Sequence, residues 1–137
     1  MMASAISEVG YQVYELAEEM REAFEDTPEV FQSTTGKPRE EAADDLERAN
    51  DILMGFDLPE HLRDEEIVWM EMRAGKTRRL FRRVRRDNVV RCLRACVARL
   101  SAVSQDDDIT ERRKELQRVI DLLDAVFFPG MTGRRAA

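Results

Sequence analysis

Apolar residues recur along this chain at intervals of three and four and nowhere alternate with polar ones, a pattern that predicts helices and no strand. The first helix is predicted from about Ser7 to Glu25, with Val13, Leu16, Ala17, Met20 and Phe24 as its buried stripe. Thr27-Pro28-Glu29 joins a capping residue to a proline in a first-turn position and predicts a short turn of helix. Gln32 to Lys37 reads as a loop, and Pro38 opens a second helix whose stripe is Ala42, Leu46, Ala49, Leu53 and Phe56. Asp57-Leu58-Pro59-Glu60 has the form of a capping box. A third helix is therefore expected to start there or at Asp64, carrying Ile67, Val68, Trp69 and Met72 into a run of arginines. The last helix is predicted to start at Asp108, with Glu111 completing a second capping box. Leu116, Val119, Ile120, Leu123, Val126 and Phe127 form its stripe, and Pro129-Gly130 ends it. The pattern as a whole predicts an all-α bundle of four or five helices with short connections. Residues 1–130 form its single domain and 131–137 a frayed tail.

One element breaks this regularity. At about 100° per residue, Leu80, Phe81 and Val84 share one side of a helix, and Arg78, Arg79, Arg82 and Arg86 take the opposite side. After Asn88 the apolar stripe is Val89, Leu93, Cys96, Leu100 and Val103, which lies in register with the arginines. Asp87 and Asn88 are both good cap residues, so the helix is expected either to break there or to carry Arg78 to Arg86 outside the bundle. Reversing two of these arginines should then abolish partner binding and leave stability almost unchanged.

Charge sharpens the picture. Residues 1–66 hold nineteen acids and five bases, a net of −14, whereas residues 67–137 hold nine acids and seventeen bases, a net of +8. Eleven of those bases crowd between Arg73 and Arg99 beside a single acid, Asp87. Such a face meets either the acidic half of its own chain or another molecule. Arginine mixed with aromatic and aliphatic residues is the composition of interface centres. The candidate partner-binding set is accordingly Arg78, Arg79, Leu80, Phe81, Arg82, Arg83, Arg85 and Arg86. No window has the apolar length of a membrane span and the start lacks a signal-peptide pattern, so no membrane partner is expected. The expected location is the cytoplasm of a host cell, or a virion.

Material for catalysis is sparse. The chain has one histidine, His61, and no glycine-rich phosphate loop, since Ala74-Gly75-Lys76-Thr77 lacks the loop's first glycine and its strand. Cys92 and Cys96, four apart on one helical face, read as small buried hydrophobes, because four-apart positions on a helix disfavour a bond and zinc needs more ligands. No cofactor, metal ligand or catalytic residue is expected. Glu19 with Glu22, and Glu41 with Asp44, are carboxylate pairs of the kind that facing helices use to hold Mg²⁺, although nineteen acids in this half make such spacings common.

Those pairs are similar to the ExxE…ExxD pattern of the all-α nucleoside triphosphate pyrophosphohydrolases (the MazG-like family). That resemblance implies Mg²⁺-dependent nucleotide hydrolysis, with Asp45-Leu46-Glu47-Arg48 more polar than the family's buried helix. Within Glu15 to Leu53, Phe24-Glu25-Asp26-Thr27-Pro28-Glu29-Val30-Phe31-Gln32 and Arg39-Glu40-Glu41-Ala42-Ala43 resemble segments of small helical proteins of tailed bacteriophages. This resemblance covers under a third of the chain and implies a binding or assembly protein. Ile52-Leu53, Asp57-Leu58-Pro59-Glu60 and Arg85-Arg86-Asp87-Asn88-Val89-Val90 are similar to parts of the BAG domain, a three-helix Hsp70 co-chaperone. Its chaperone contacts would fall on Glu47, Asp57 and Arg86, with Arg94 replacing a glutamine, but the gap from Asp57 to Arg86 is too long by roughly four helical turns. The leading expectation is a non-enzymatic helical protein, from a phage or mobile element, that engages an acidic protein surface or a neighbouring subunit in an oligomer. Nucleic-acid binding through the same arginines is the first alternative, and Mg²⁺-dependent pyrophosphohydrolysis the second.

Overall fold

The computed structural model describes residues 1–69 and 81–129. Four long helices carry the described chain: α1 (Met2–Glu25), α2 (Lys37–Gly55), α3 (Arg82–Val103) and α4 (Asp107–Asp124). Two single 3₁₀ turns, Glu29–Phe31 and Glu60–Leu62, punctuate the connections, and among the described residues there is no strand. The fold is an all-α bundle.

Packing arranges the helices as a four-cornered ring, in which α1 and α4 each touch both α2 and α3. Arg82 and Arg85 at the start of α3 meet Glu19 in the second half of α1, so these neighbours are antiparallel. Arg112 early in α4 donates to the carbonyl of Asp57 just beyond the end of α2, so that pair is antiparallel too. Helices α2 and α3 thus run in the same direction on opposite corners. One continuous core fills the ring, with Leu16, Met20, Leu46, Leu93, Leu100, Leu116, Ile120 and Leu123 fully enclosed. Cys92 and Cys96 are buried within it and form no disulfide, as small hydrophobes would be.

Several boundaries differ from the expected ones. Helix α1 begins at Met2, five residues before Ser7, because Met2, Ala5, Ile6 and Val9 prolong the buried stripe. No side chain caps it. Its first amides donate instead to a distant stretch, Met2 N–H to the Glu65 carbonyl (2.8 Å) and Ala3 N–H to that of Arg63 (3.0 Å). The capping box at Asp57 does not form, and the chain makes only the 3₁₀ turn there. Residues 65–69 are not helical; Ile67 and Trp69 pack on the core while Val68 faces solvent. Met72 lies outside the described residues, as does the tail 131–137.

Helix α4 is capped by Asp106 rather than Asp108, the Asp106 carboxylate accepting from Asp108 N–H at 3.2 Å. It ends at Asp124, five residues before Pro129, and the chain then turns so that Phe128 is buried and Phe127 is 55% exposed. Between α1 and α2 the short turn expected after Thr27-Pro28 is present. Gly36 closes that connection under a tight ceiling: a Cβ there would lie 2.9 Å from the Gln32 Cα.

Candidate functional site

The predicted site lies at the start of α3, and its arginines divide into two groups. Helix α3 runs unbroken through Asp87 and Asn88, and Phe81 to Arg86 stay within the bundle, so neither expected outcome of the phase mismatch holds for these residues. Phe81 is the N-cap, and its carbonyl accepts the amide of Arg85 at 3.0 Å. The helix buries the out-of-phase residue. Arg85 is in register with Val89, Cys92, Cys96 and Leu100, and only 3% of its surface is exposed.

A buried guanidinium needs a counter-charge and a full set of acceptors. Arg85 finds both on α1. Its Nη1 and Nη2 donate to the two carboxylate oxygens of Glu19 at 2.9 and 2.6 Å, the parallel fork that arginine makes with a carboxylate. Arg82 Nε adds a third bond to Glu19 Oε1 at 3.1 Å. Partial burial pushes the Glu19 carboxyl up, but the hydrogen bonds and charges of Arg85 and Arg82 outweigh it and hold the group below the ordinary carboxylate value. Asn88, one turn on, is buried mid-helix and neither of its amide atoms is hydrogen-bonded.

Arg86 leaves the same turn towards α4. Its Nη1 donates to the carbonyls of Leu123 (2.7 Å) and Val126 (3.0 Å) where α4 ends, and the Leu123 carbonyl also accepts the Val126 N–H at 3.2 Å. The guanidinium also lies 5.6 Å from the centre of the Phe128 ring, and its Nε donates to Asp87 at 2.7 Å. Arg82, Arg85 and Arg86 are therefore fastened to α1 and α4. Arg83, Val84 and Phe81 face outward, with Phe81 47% and Val84 37% exposed, and Arg83 makes no ion pair among the described residues. Arg78, Arg79 and Leu80 lie outside the described residues.

One carboxylate of each candidate Mg²⁺ pair has another occupation. Glu19 is held by Arg85 and Arg82, and Asp44 accepts from Arg21 Nη2 at 2.7 Å. Arg21 also forks onto both oxygens of Glu47, at 2.6 and 2.9 Å, clamping α1 to α2; these bonds raise the Arg21 pKa above its ordinary value. Among the described residues no group of three or more histidine, cysteine or acidic side chains is arranged to hold a metal ion, and no helix is long and apolar enough to cross a membrane.

The residue whose role sequence reasoning missed is Glu19, weighed only as half of a carboxylate pair in the acidic half and found as the counter-ion of α3. The signal was present in the register of Arg85 with the stripe beyond it. Compared with protein-family models, curated proteins and solved structures, the chain gives no match.

Proposed function

We propose that the chain is a non-enzymatic helical binding or assembly protein, of phage or mobile-element type, that docks on an acidic protein surface through the outer edge of the α3 start. The observation that carries this reading is the division of the arginines. Arg82, Arg85 and Arg86 are bonded inside the bundle, while Arg83 is exposed in the same first turn as the exposed Phe81 and Val84. An exposed arginine on one turn with exposed apolar side chains has the composition of an interface centre rather than of a solvated face.

The same division weighs against the nucleic-acid alternative, because Arg85 is buried and the charges of Arg82 and Arg86 are already shared with protein acceptors, which leaves less to neutralise phosphates. Pyrophosphohydrolysis is disfavoured by the arginines that occupy Glu19 and Asp44. Co-purification from the native source tests the proposal, using the wild-type chain and the double variant Arg83→Glu/Val84→Asp. A protein retained by the first and lost from the second, with both equally heat-stable, supports it; equal retention refutes it. If duplex DNA binds instead, with affinity falling steeply as salt rises, the arginine edge serves nucleic acid and the proposal fails.

A further inference from the structure

The seam between α1 and α2 is an open groove with two chemically different halves. One half is a cavity of about 440 Å³ floored by Ile6, Leu53 and Phe56 and rimmed by Tyr11, Tyr14 and Met54. Met54 is 76% exposed, and both tyrosines are close to half exposed. The other half, about 410 Å³, shares Tyr14 and Asn50 with the first and is lined by Glu18, Glu22, Glu25, Glu47 and Asp51. Tyr14 sits at the junction, its hydroxyl donating to Glu18 at 2.8 Å. Arg21 is the one base lining the acidic half, and its charge is taken up by Glu47 and Asp44. Glu22, Glu25 and Asp51 make no ion pair among the described residues.

This is an unfavourable surface to leave bare. Glu22 and Glu25 on α1 and Asp51 on α2 line opposite walls of the groove with no ion pair among the described residues, and aromatic and methionine side chains stand in water beside them. Both costs are removed by the same kind of occupant. We infer that the α1–α2 groove docks an amphipathic helix of a partner protein, its apolar face filling the end formed by Ile6, Leu53 and Phe56 and its lysines or arginines lying against Glu22, Glu25 and Asp51. Helix-in-groove recognition uses apolar anchors on one face, and methionine and tyrosine are the side chains that adapt to such a ligand. The stretch of α1 from Ile6 to Glu25 is about 29 Å long, which matches roughly five turns of a bound helix. This surface is distinct from the α3 edge and recognises the opposite charge.

The test is a fluorescein-labelled peptide of about five helical turns, with leucines at one end of a single face and lysines and arginines at the other, titrated with the full chain by fluorescence anisotropy. Two control peptides keep the length: one scatters the same residues around the helix, and one carries glutamate at the basic positions. The matched peptide should bind and both controls should bind at least about tenfold more weakly, since each loses one of the two recognition terms. Amide resonances of Tyr11, Tyr14 and Asn50 should shift on its addition. Met54→Glu and the double variant Glu22→Lys/Asp51→Lys should each weaken binding at least about tenfold with the melting temperature unchanged, because all three side chains are exposed. Equal binding of the three peptides, no binding, or resonance shifts elsewhere would overturn the inference. So would sedimentation showing a dimer of the chain that Met54→Glu dissociates, since the groove would then belong to a second copy.

Discussion

Arg85 and Glu19 are sixty-six positions apart in the chain, and the bidentate bond between them fastens the start of α3 to α1. The bond exists because α3 is one continuous helix. Val89, Cys92, Cys96 and Leu100 fix which side of α3 faces inward, and the same side carries Arg85 one turn earlier. Its charge can be tolerated there only if a carboxylate waits on the neighbouring helix.

Removing that carboxylate should be costly. Glu19→Ala leaves Arg85 buried without its counter-charge, and stranding one member of a buried pair costs about 3–5 kcal/mol. Because Glu19 is itself about one-third exposed, we expect the lower end, about 3 kcal/mol. Arg85→Met should cost less, since methionine suits the apolar surroundings and Glu19 keeps Arg82. Urea unfolding of the two single variants and the double variant gives the coupling between them. A loss under about 0.5 kcal/mol for Glu19→Ala, typical of surface changes, would mean that the pair holds nothing.

The same pair sets a pH dependence. The Glu19 pKa is lower in the folded chain than its ordinary value of 4.5, so the folded state binds the proton less readily than the unfolded state. The stabilisation is complete above that ordinary value and is lost as pH falls through the lower folded value. Unfolding free energy should therefore decline below about pH 4.5, and Glu19→Gln should flatten part of that decline. An unchanged slope in Glu19→Gln would assign the acid sensitivity to other carboxylates.

What the sequence made legible follows from how far each signal reaches. The helical stripes of α1, α2 and α4 are local, and they predicted the all-α bundle and most of its core. At the start of α1 the stripe of Met2, Ala5, Ile6 and Val9 was legible, but the acceptors of its first amides, the Arg63 and Glu65 carbonyls some sixty residues away, were not. Asp57-Leu58-Pro59-Glu60 looked like a helix start, yet the residues after it pack Ile67 and Trp69 on the core in an irregular chain, which tertiary contact decides and local propensity does not. At the candidate site the register of Arg85 with the core was legible, and its counter-ion was not. Many acids compete for that role in the acidic half, and only the bundle geometry selects Glu19.

The end of α4 separates two adjacent phenylalanines. Leu123→Ala should cost roughly 2–5 kcal/mol, the range for truncating a fully buried leucine, and Phe128→Ala about 3–5 kcal/mol. Phe127→Ala should stay within about 0.5 kcal/mol, because that side chain is more than half exposed where the stripe predicted it to be core. Thermal or urea unfolding checks all three. A large loss at Phe127 would mean that Phe127 also packs into the core after Asp124.

Charge reversal at Arg82 and Arg86 separates an internal role for these arginines from an external one most sharply. On the reading of the arginine run as a wholly external face, Arg82→Glu/Arg86→Glu would leave stability almost unchanged. The geometry reverses that expectation. Glutamate at position 82 would face Glu19, now repelling the carboxylate that Arg82 had bonded at 3.1 Å. At position 86 it would turn an acceptor towards the Leu123 and Val126 carbonyls, removing the charged donor that the two share. Each lost charge-assisted bond contributes about 1.5–3 kcal/mol, so the double variant should lose several kcal/mol and a small bundle should be largely unfolded. Arg83→Glu, one residue away on the outward side, should change stability by no more than about 0.5 kcal/mol. Circular dichroism melts of the two variants decide the matter. If Arg82→Glu/Arg86→Glu melts like the wild type, the bonds from α3 to Glu19 and to the end of α4 do not hold the bundle together.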